Sequence, residues 1–198
     1  MSATASNTQP LPIDDVITKL HVKNYKIQMT RFLLTTRFNN STFQENVNFR
    51  AKNANVGCIY CSPDMISQSI PLDSILFVLE MNNETNKITG IGMVRNRPII
   101  NKYYVYQNGN YNRYVYLGKY RIDRNEMTEQ EEKIMQIFDI LCFKGNRHMK
   151  RGQGIKSFPV DILYRFLKTI DLVNFISEMY KRKMRNLTNE PIQMIQMK

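Results

Sequence analysis

The sequence has no tryptophan, two histidines, three cysteines and a deficit of acid, 17 Asp and Glu against 28 Lys and Arg. Its only histidines are His21 and His148, and it carries no Gly-x-Ser-x-Gly elbow and no His-Glu-x-x-His helix, so the familiar hydrolase and zinc-peptidase patterns are missing. Acids such as Asp64, Asp73, Glu80, Asp123 and Glu126 occur, but no spacing marks a carboxylate pair. An enzyme therefore ranks last among the function classes, and no cofactor is implied. Three cysteines, an odd number, do not build a disulfide framework and agree with a reducing compartment. No apolar run approaches the roughly 20 residues that cross a bilayer, and the first twenty residues lack the basic start and apolar centre of a secretion signal. The expectation is a soluble intracellular protein, cytoplasmic or nuclear, with a virion as a further setting and no membrane span.

What is present is a chain of 198 residues, 42% hydrophobic and 23% charged, close to the globular average and long enough for one packed domain. Its formal charge of +11 favours polyanionic partners: nucleic acid, an anionic surface or an acidic protein. The charge is most concentrated in a stretch running from Leu141 to Lys156, where Lys144, Arg147, Lys150, Arg151 and Lys156 occur with His148 and no acid. Gly145, Gly152 and Gly154 let this backbone turn and approach a partner closely. Such a loop suits phosphate, because basic side chains and backbone amides can meet anionic oxygens there. Gly152-x-Gly154 lacks the third glycine and the strand-before, helix-after setting of a dinucleotide fingerprint, and no Walker lysine is present.

In chain order, residues 1–12 are small, polar and proline-marked and read as a flexible arm; 13–186 read as one domain; 187–198 read as a tail. Helical spacing predicts a helix over Ile13–Tyr25, and a cap at Ser41 predicts a second around Phe43–Arg50. Ile27–Phe38, Gly57–Pro63, Ile75–Met81 and Lys87–Val94 read as strands, the last two as a hairpin. Gly90 and Gly92 mark a bend, a bulge or a close approach of something to the backbone. Asn108-Gly109 between Lys102–Tyr106 and Tyr111–Tyr116 predicts a second hairpin, extended by Gly118–Ile122. Thr128-x-x-Glu131 is a capping box that opens a helix leading into the basic loop, and a helix from Ser157–Pro159 onward breaks near Asp171.

Tyrosine and arginine interleave through the central hairpins, with Arg113, Tyr114 and Arg121 the leading candidates to stack on bases and meet phosphates. The alternative is that these tyrosines are half-buried strand residues and the charges a solvated face. Cys58-x-x-Cys61 has the spacing of half a zinc site, which Cys142 and His148 would complete. In an extended strand, however, the two cysteines point to opposite faces.

From Cys58 onward the order of features resembles the small β-barrels of the PUA-like superfamily, which includes the ASCH, EVE and YTH domains. The residues that carry the likeness are Tyr60-Cys61-Ser62-Pro63, Ile70-Pro71-Leu72-Asp73-Ser74, Ile75–Met81 and Lys87–Val94. The resemblance implies a barrel flanked by helices that binds RNA or modified nucleobases. Readers of modified bases typically cage them with tryptophan, so here Tyr60, Phe77 or the hairpin tyrosines would have to substitute. In its Asn- and Ile-rich style with a cationic loop the chain also resembles uncharacterised proteins of large DNA viruses.

The expected fold class is α+β: a mostly antiparallel, barrel-like, PUA-like sheet from about Gly57 to Ile122, flanked by helices. The expected function is non-enzymatic binding of RNA or DNA through Lys144, Arg147, His148, Lys150, Arg151, Lys156, Arg113, Tyr114 and Arg121. The alternative is a basic structural or scaffold protein of a virion or other large assembly, docking protein partners through its termini.

Overall fold

A computed structural model of the chain describes residues 18–100 and 103–189, with side chains as far as Asn186. The expected arm, residues 190–198 of the expected tail, Lys102 of the expected hairpin and positions 13–17 of the expected first helix lie outside the described residues. So do the terminal docking segments of the scaffold reading, apart from the helical backbone at 187–189.

Among the described residues there are five α-helices and seven strands. Helix α1 (Lys19–Gln28) begins where the Thr18 hydroxyl accepts the His21 amide, and β1 (Arg31–Phe38) follows. Helix α2 (Asn40–Lys52) is capped by Asn39, two residues before the expected Ser41. The Asn39 side chain accepts the Thr42 amide at 2.7 Å while the Thr42 hydroxyl accepts the Asn39 amide. Then come β2 (Cys58–Ser62), β3 (Ile75–Asn82), β4 (Lys87–Arg95), β5 (Tyr114–Gly118) and β6 (Tyr120–Asp123). The capping box at Thr128 and Glu131 starts α3 (Glu129–Phe143) as its spacing predicts. After the basic loop, β7 (Lys156–Ser157), α4 (Val160–Phe166) and α5 (Leu172–Asn189) complete the fold, with the break between the helices near Asp171.

The fold is α+β, with a five-stranded sheet in the order β6-β4-β3-β1-β7. Three of its pairings are antiparallel and β1·β3 is parallel. The sheet is open, a correction to the expected barrel. Its edge strands β6 and β7 are four and two residues long, and β2 and β5 pair with each other in a separate two-stranded layer instead of bridging those edges.

Alternation along the strands explains the two-sided core. Leu33, Phe77, Leu79, Met81, Ile88, Ile91 and Ile122 face the helical layer, packing with Phe138 of α3, Leu163 of α4 and Ile176 of α5. Phe32, Leu34, Leu76, Val78 and Val94 face the other way, onto Ile59, Val115 and Tyr116 of the small sheet. The continuous apolar run of β3 is thus a strand covered on both faces.

The second predicted hairpin does not form. Residues 103–107 are not in a strand, Gly109–Asn112 is a 3-10 turn, and β5 pairs with β2. Side chains have taken the place of a partner strand. Asn112 Oδ1 accepts the Val105 and Tyr106 amides and its Nδ2 donates to the Tyr106 carbonyl, while Asn108 caps the turn. Nor does β6 extend a meander with β5, because it joins β4 in the large sheet.

The second face carries a buried charge. Glu80, 1% exposed, accepts Arg121 Nε at 2.9 Å and Arg121 Nη2 at 2.7 Å, and also accepts the Tyr60 hydroxyl at 2.8 Å. Asp123 takes Arg121 Nη1 at 2.6 Å. Burial alone would lower the Arg121 pKa, but Glu80 and Asp123 outweigh it and hold the guanidinium above its ordinary value. Gly92 makes room for this group, since a Cβ there would lie 1.9 Å from the Tyr60 hydroxyl. Of the alternatives that the glycine left open, the close approach is the one realised here.

Removing one partner of a buried ion pair leaves the other charge uncompensated, so Glu80→Gln is expected to cost about 3–5 kcal/mol in urea unfolding. The half-buried carboxylates behave differently. Burial alone would raise Asp123, but bonds from Arg121 and the Asn125 amide outweigh it, and bonds from Arg124 and Arg147 act likewise on Glu132 and Asp161, so all three lie below their ordinary values of 3.8, 4.5 and 3.8. Their stabilisation is complete above those ordinary values and is lost as pH falls through the lower folded-state values. An acid titration followed by circular dichroism should show stability declining below about pH 4.

Candidate functional site

The basic loop, residues 144–155, is held down along its length. Arg37, at the end of β1, donates from Nε to the Met149 carbonyl at 2.5 Å and from Nη1 to the Gly154 carbonyl at 3.5 Å. Asn83 Nδ2 donates to the Lys150 carbonyl at 3.2 Å, and the Met149 amide returns to the Cys142 carbonyl at 2.7 Å. Gly154 has φ +63°, and a Cβ there would sit 2.1 Å from Ser62 Oγ. Only glycine lets the loop pass this close to the end of β2. The glycine thus serves contact with the protein itself as well as the turn.

Where the loop crosses the end of β1 it forms one wall of a cleft of about 390 Å³. Thr36, Arg37 and Phe38 of β1, Asn39 and Thr42 at the start of α2, and Gly152–Gly154 form its sides. Tyr106, Asn108 and Tyr111 contribute from the irregular segment, with Glu45, Cys61 and Asn83 completing the lining. The lining therefore includes three aromatic rings, of which Phe38 and Tyr106 are buried and Tyr111 is half-buried, with four primary amides (Asn39, Asn83, Asn108 and Gln153), a carboxylate and a guanidinium. Burial lowers the Arg37 pKa from its ordinary value, yet its two carbonyl contacts keep the group in place. Asn83 Oδ1 is buried with no hydrogen-bond partner. The lining is thus mostly polar, with eight polar or charged side chains against three rings.

The predicted binding residues are distributed rather than gathered. Lys144 is exposed at the end of α3, and Arg147 is drawn to Asp161 of α4 at 2.9 Å. His148 is half-buried with Nδ1 unpartnered. Lys150 and Arg151 directly precede the cleft wall at Gly152, and Lys156 is exposed on the edge strand β7. Tyr114 stands opposite Ser62 in the β2·β5 register, and Ser62 Oγ accepts the Ile155 amide at 3.4 Å. Tyr114 and the exposed Arg113, whose guanidinium carbon lies 5.8 Å from the Tyr114 ring, thus share the loop's end of the small sheet.

Three nominations need correction. Arg121 is enclosed by Glu80 and Asp123 with 8% of its side chain exposed, so its charge is spent in the core. Tyr60 and Phe77 cannot cage a base: Tyr60 is fully buried on Glu80, and Phe77 stacks under Tyr180 at 5.4 Å. The cleft residues that sequence reasoning missed include Arg37, Asn39, Glu45, Asn83 and Gln153. Arg37 left one signal, a cation interrupting the apolar run of β1.

All three cysteines are buried and free. Among the described residues no group of three His, Cys, Asp or Glu is placed to hold a metal ion, so Cys58, Cys61, Cys142 and His148 do not assemble. No helix among the described residues is long and apolar enough to cross a membrane. No protein-family model, curated protein or solved structure matches the chain.

Burial pushes the thiols of Cys58, Cys61 and Cys142 up to about 12. Ellman's reagent at pH 8 is therefore expected to find no reactive thiol in the native protein and all three after denaturation. A native thiol that reacts within minutes would contradict the burial of β2 and α3.

Proposed function

We propose that the protein binds single-stranded nucleic acid without catalysis, seating one unstacked base in the cleft and its backbone along the basic loop. The observation that carries this reading is the juxtaposition in one cleft of rings, amides and the Gly152–Gly154 wall, directly after Lys150 and Arg151. Tyr111, the one cleft ring that is not buried, supplies stacking surface for a base, and amides pair with its edge. The cleft volume of about 390 Å³ falls in the range of small-molecule sites, roughly 300–1,000 Å³. The start of α2 adds partial positive charge at the same place, through Asn39 and Thr42. Kinship with PUA-like domains belongs to the same proposal. It rests on the strand and turn residues quoted for it, and the open sheet departs from the closed barrel it implies.

The net charge of +11 supports an electrostatic share in binding. Fluorescence anisotropy with labelled single-stranded RNA and DNA at 50 and 200 mM salt tests this. Affinity should fall linearly with the logarithm of salt concentration, by about 0.7 log units per log unit for each phosphate contacted. Lys150→Glu with Arg151→Glu should weaken binding and reduce that slope by about 1.4, two contacts at about 0.7 each. Absence of binding to either nucleic acid near physiological salt would overturn the proposal.

A further inference from the structure

A second depression lies across the segment that walls the cleft. Glu45, Asn48, Phe49 and Lys52 recur at three- and four-residue steps along one face of α2, and with Tyr104–Gln107 they enclose a groove of about 420 Å³. The groove adjoins the cleft, Glu45 and Tyr106 lining both. The partition between them is firmly built. Glu45 Oε1 accepts the Gln107 amide at 3.2 Å, Asn46 Nδ2 donates to the Tyr106 hydroxyl at 3.1 Å, and Phe49 meets the Tyr103 ring edge-on at 6.2 Å. Against this fixed background Tyr104 is 75% exposed. An exposed ring beside the Lys52 cation and the Asn48 and Gln107 amides has the composition of a stacking platform with a phosphate contact.

We propose that this groove is a subsite for the nucleotide adjoining the one in the cleft, with Tyr104 stacking on its base and Lys52 meeting its phosphate. The inference rests on the cleft reading and extends it by giving the bound strand a direction across the surface, from the basic loop, over the Tyr106 partition, to the far face of α2. The exposure of Tyr104, unexplained by the core, then has a use.

The test is the dependence of binding on length. Fluorescein-labelled oligoadenylates of one, two, four and eight nucleotides, as RNA and as DNA, would be titrated against the full chain and three variants. The unmodified protein should gain affinity between one nucleotide and two to four. Tyr104→Ala should lower affinity for the four- and eight-nucleotide probes about tenfold, leave the single nucleotide unaffected, and be rescued by Tyr104→Phe, since a ring suffices for stacking. Tyr111→Ala, in the cleft, should weaken every probe. Unchanged binding of the longer probes by Tyr104→Ala would overturn the groove while leaving the cleft reading standing. An equal loss for all lengths would overturn the groove as a separate subsite. Failure of the unmodified protein to bind any probe would remove both.

Discussion

One buried carboxylate ties the small sheet to the large one. Glu80 lies at the irregularity where the β3·β4 register shifts between Leu79 and Met81, and it binds groups from β2, β4 and β6: the Tyr60 hydroxyl, the Thr89 hydroxyl and the Arg121 guanidinium. A charge so enclosed persists only where its partners are held in place, so the strands that supply them are constrained in register and in spacing. Gly92 leaves the gap through which Tyr60 reaches across the layers. The same network removes Arg121 and Tyr60 from any binding surface.

The cleft follows from where that scaffold sets the ends of its elements. The end of β1 runs directly into the α2 cap, and Arg37, two residues before Asn39, turns to the loop and takes two of its carbonyls. A loop read as a glycine-hinged connection is thereby strapped against β1 and β2. Its charges are unequal in consequence. Arg147 is paired with Asp161, whereas Lys150 and Arg151 stand beside the cleft wall. A local density of cations therefore counts for less than which of them the fold leaves beside a cavity.

Local signals in the sequence were reliable where no distant partner could override them. The Thr128–Glu131 box, the strand β3 and the break near Asp171 all appear as expected. Asn108-Gly109 failed although it is a strong hairpin signal, because Asn112 bonds the backbone of Val105 and Tyr106 itself and β2 claims β5. The loop was legible as basic, and its course was not. Nothing local shows that the Gly154 backbone will pass Ser62, 92 residues earlier in the chain, or that Arg37 will reach across to Met149.

The sequence by itself determined the class of the fold, the positions of most helices and strands, and a strongly basic character, because propensity, capping and alternation act over a few residues. Tertiary structure alone decided that the sheet stays open, that Arg121 is a core ion and that Tyr104 stays in solvent while Tyr106 is buried. It also decided that Arg37, Glu45, Asn83 and Gln153 meet in one cleft. Those outcomes turn on pairing between segments far apart in the chain, where burial and hydrogen bonding select among arrangements that local sequence leaves equivalent.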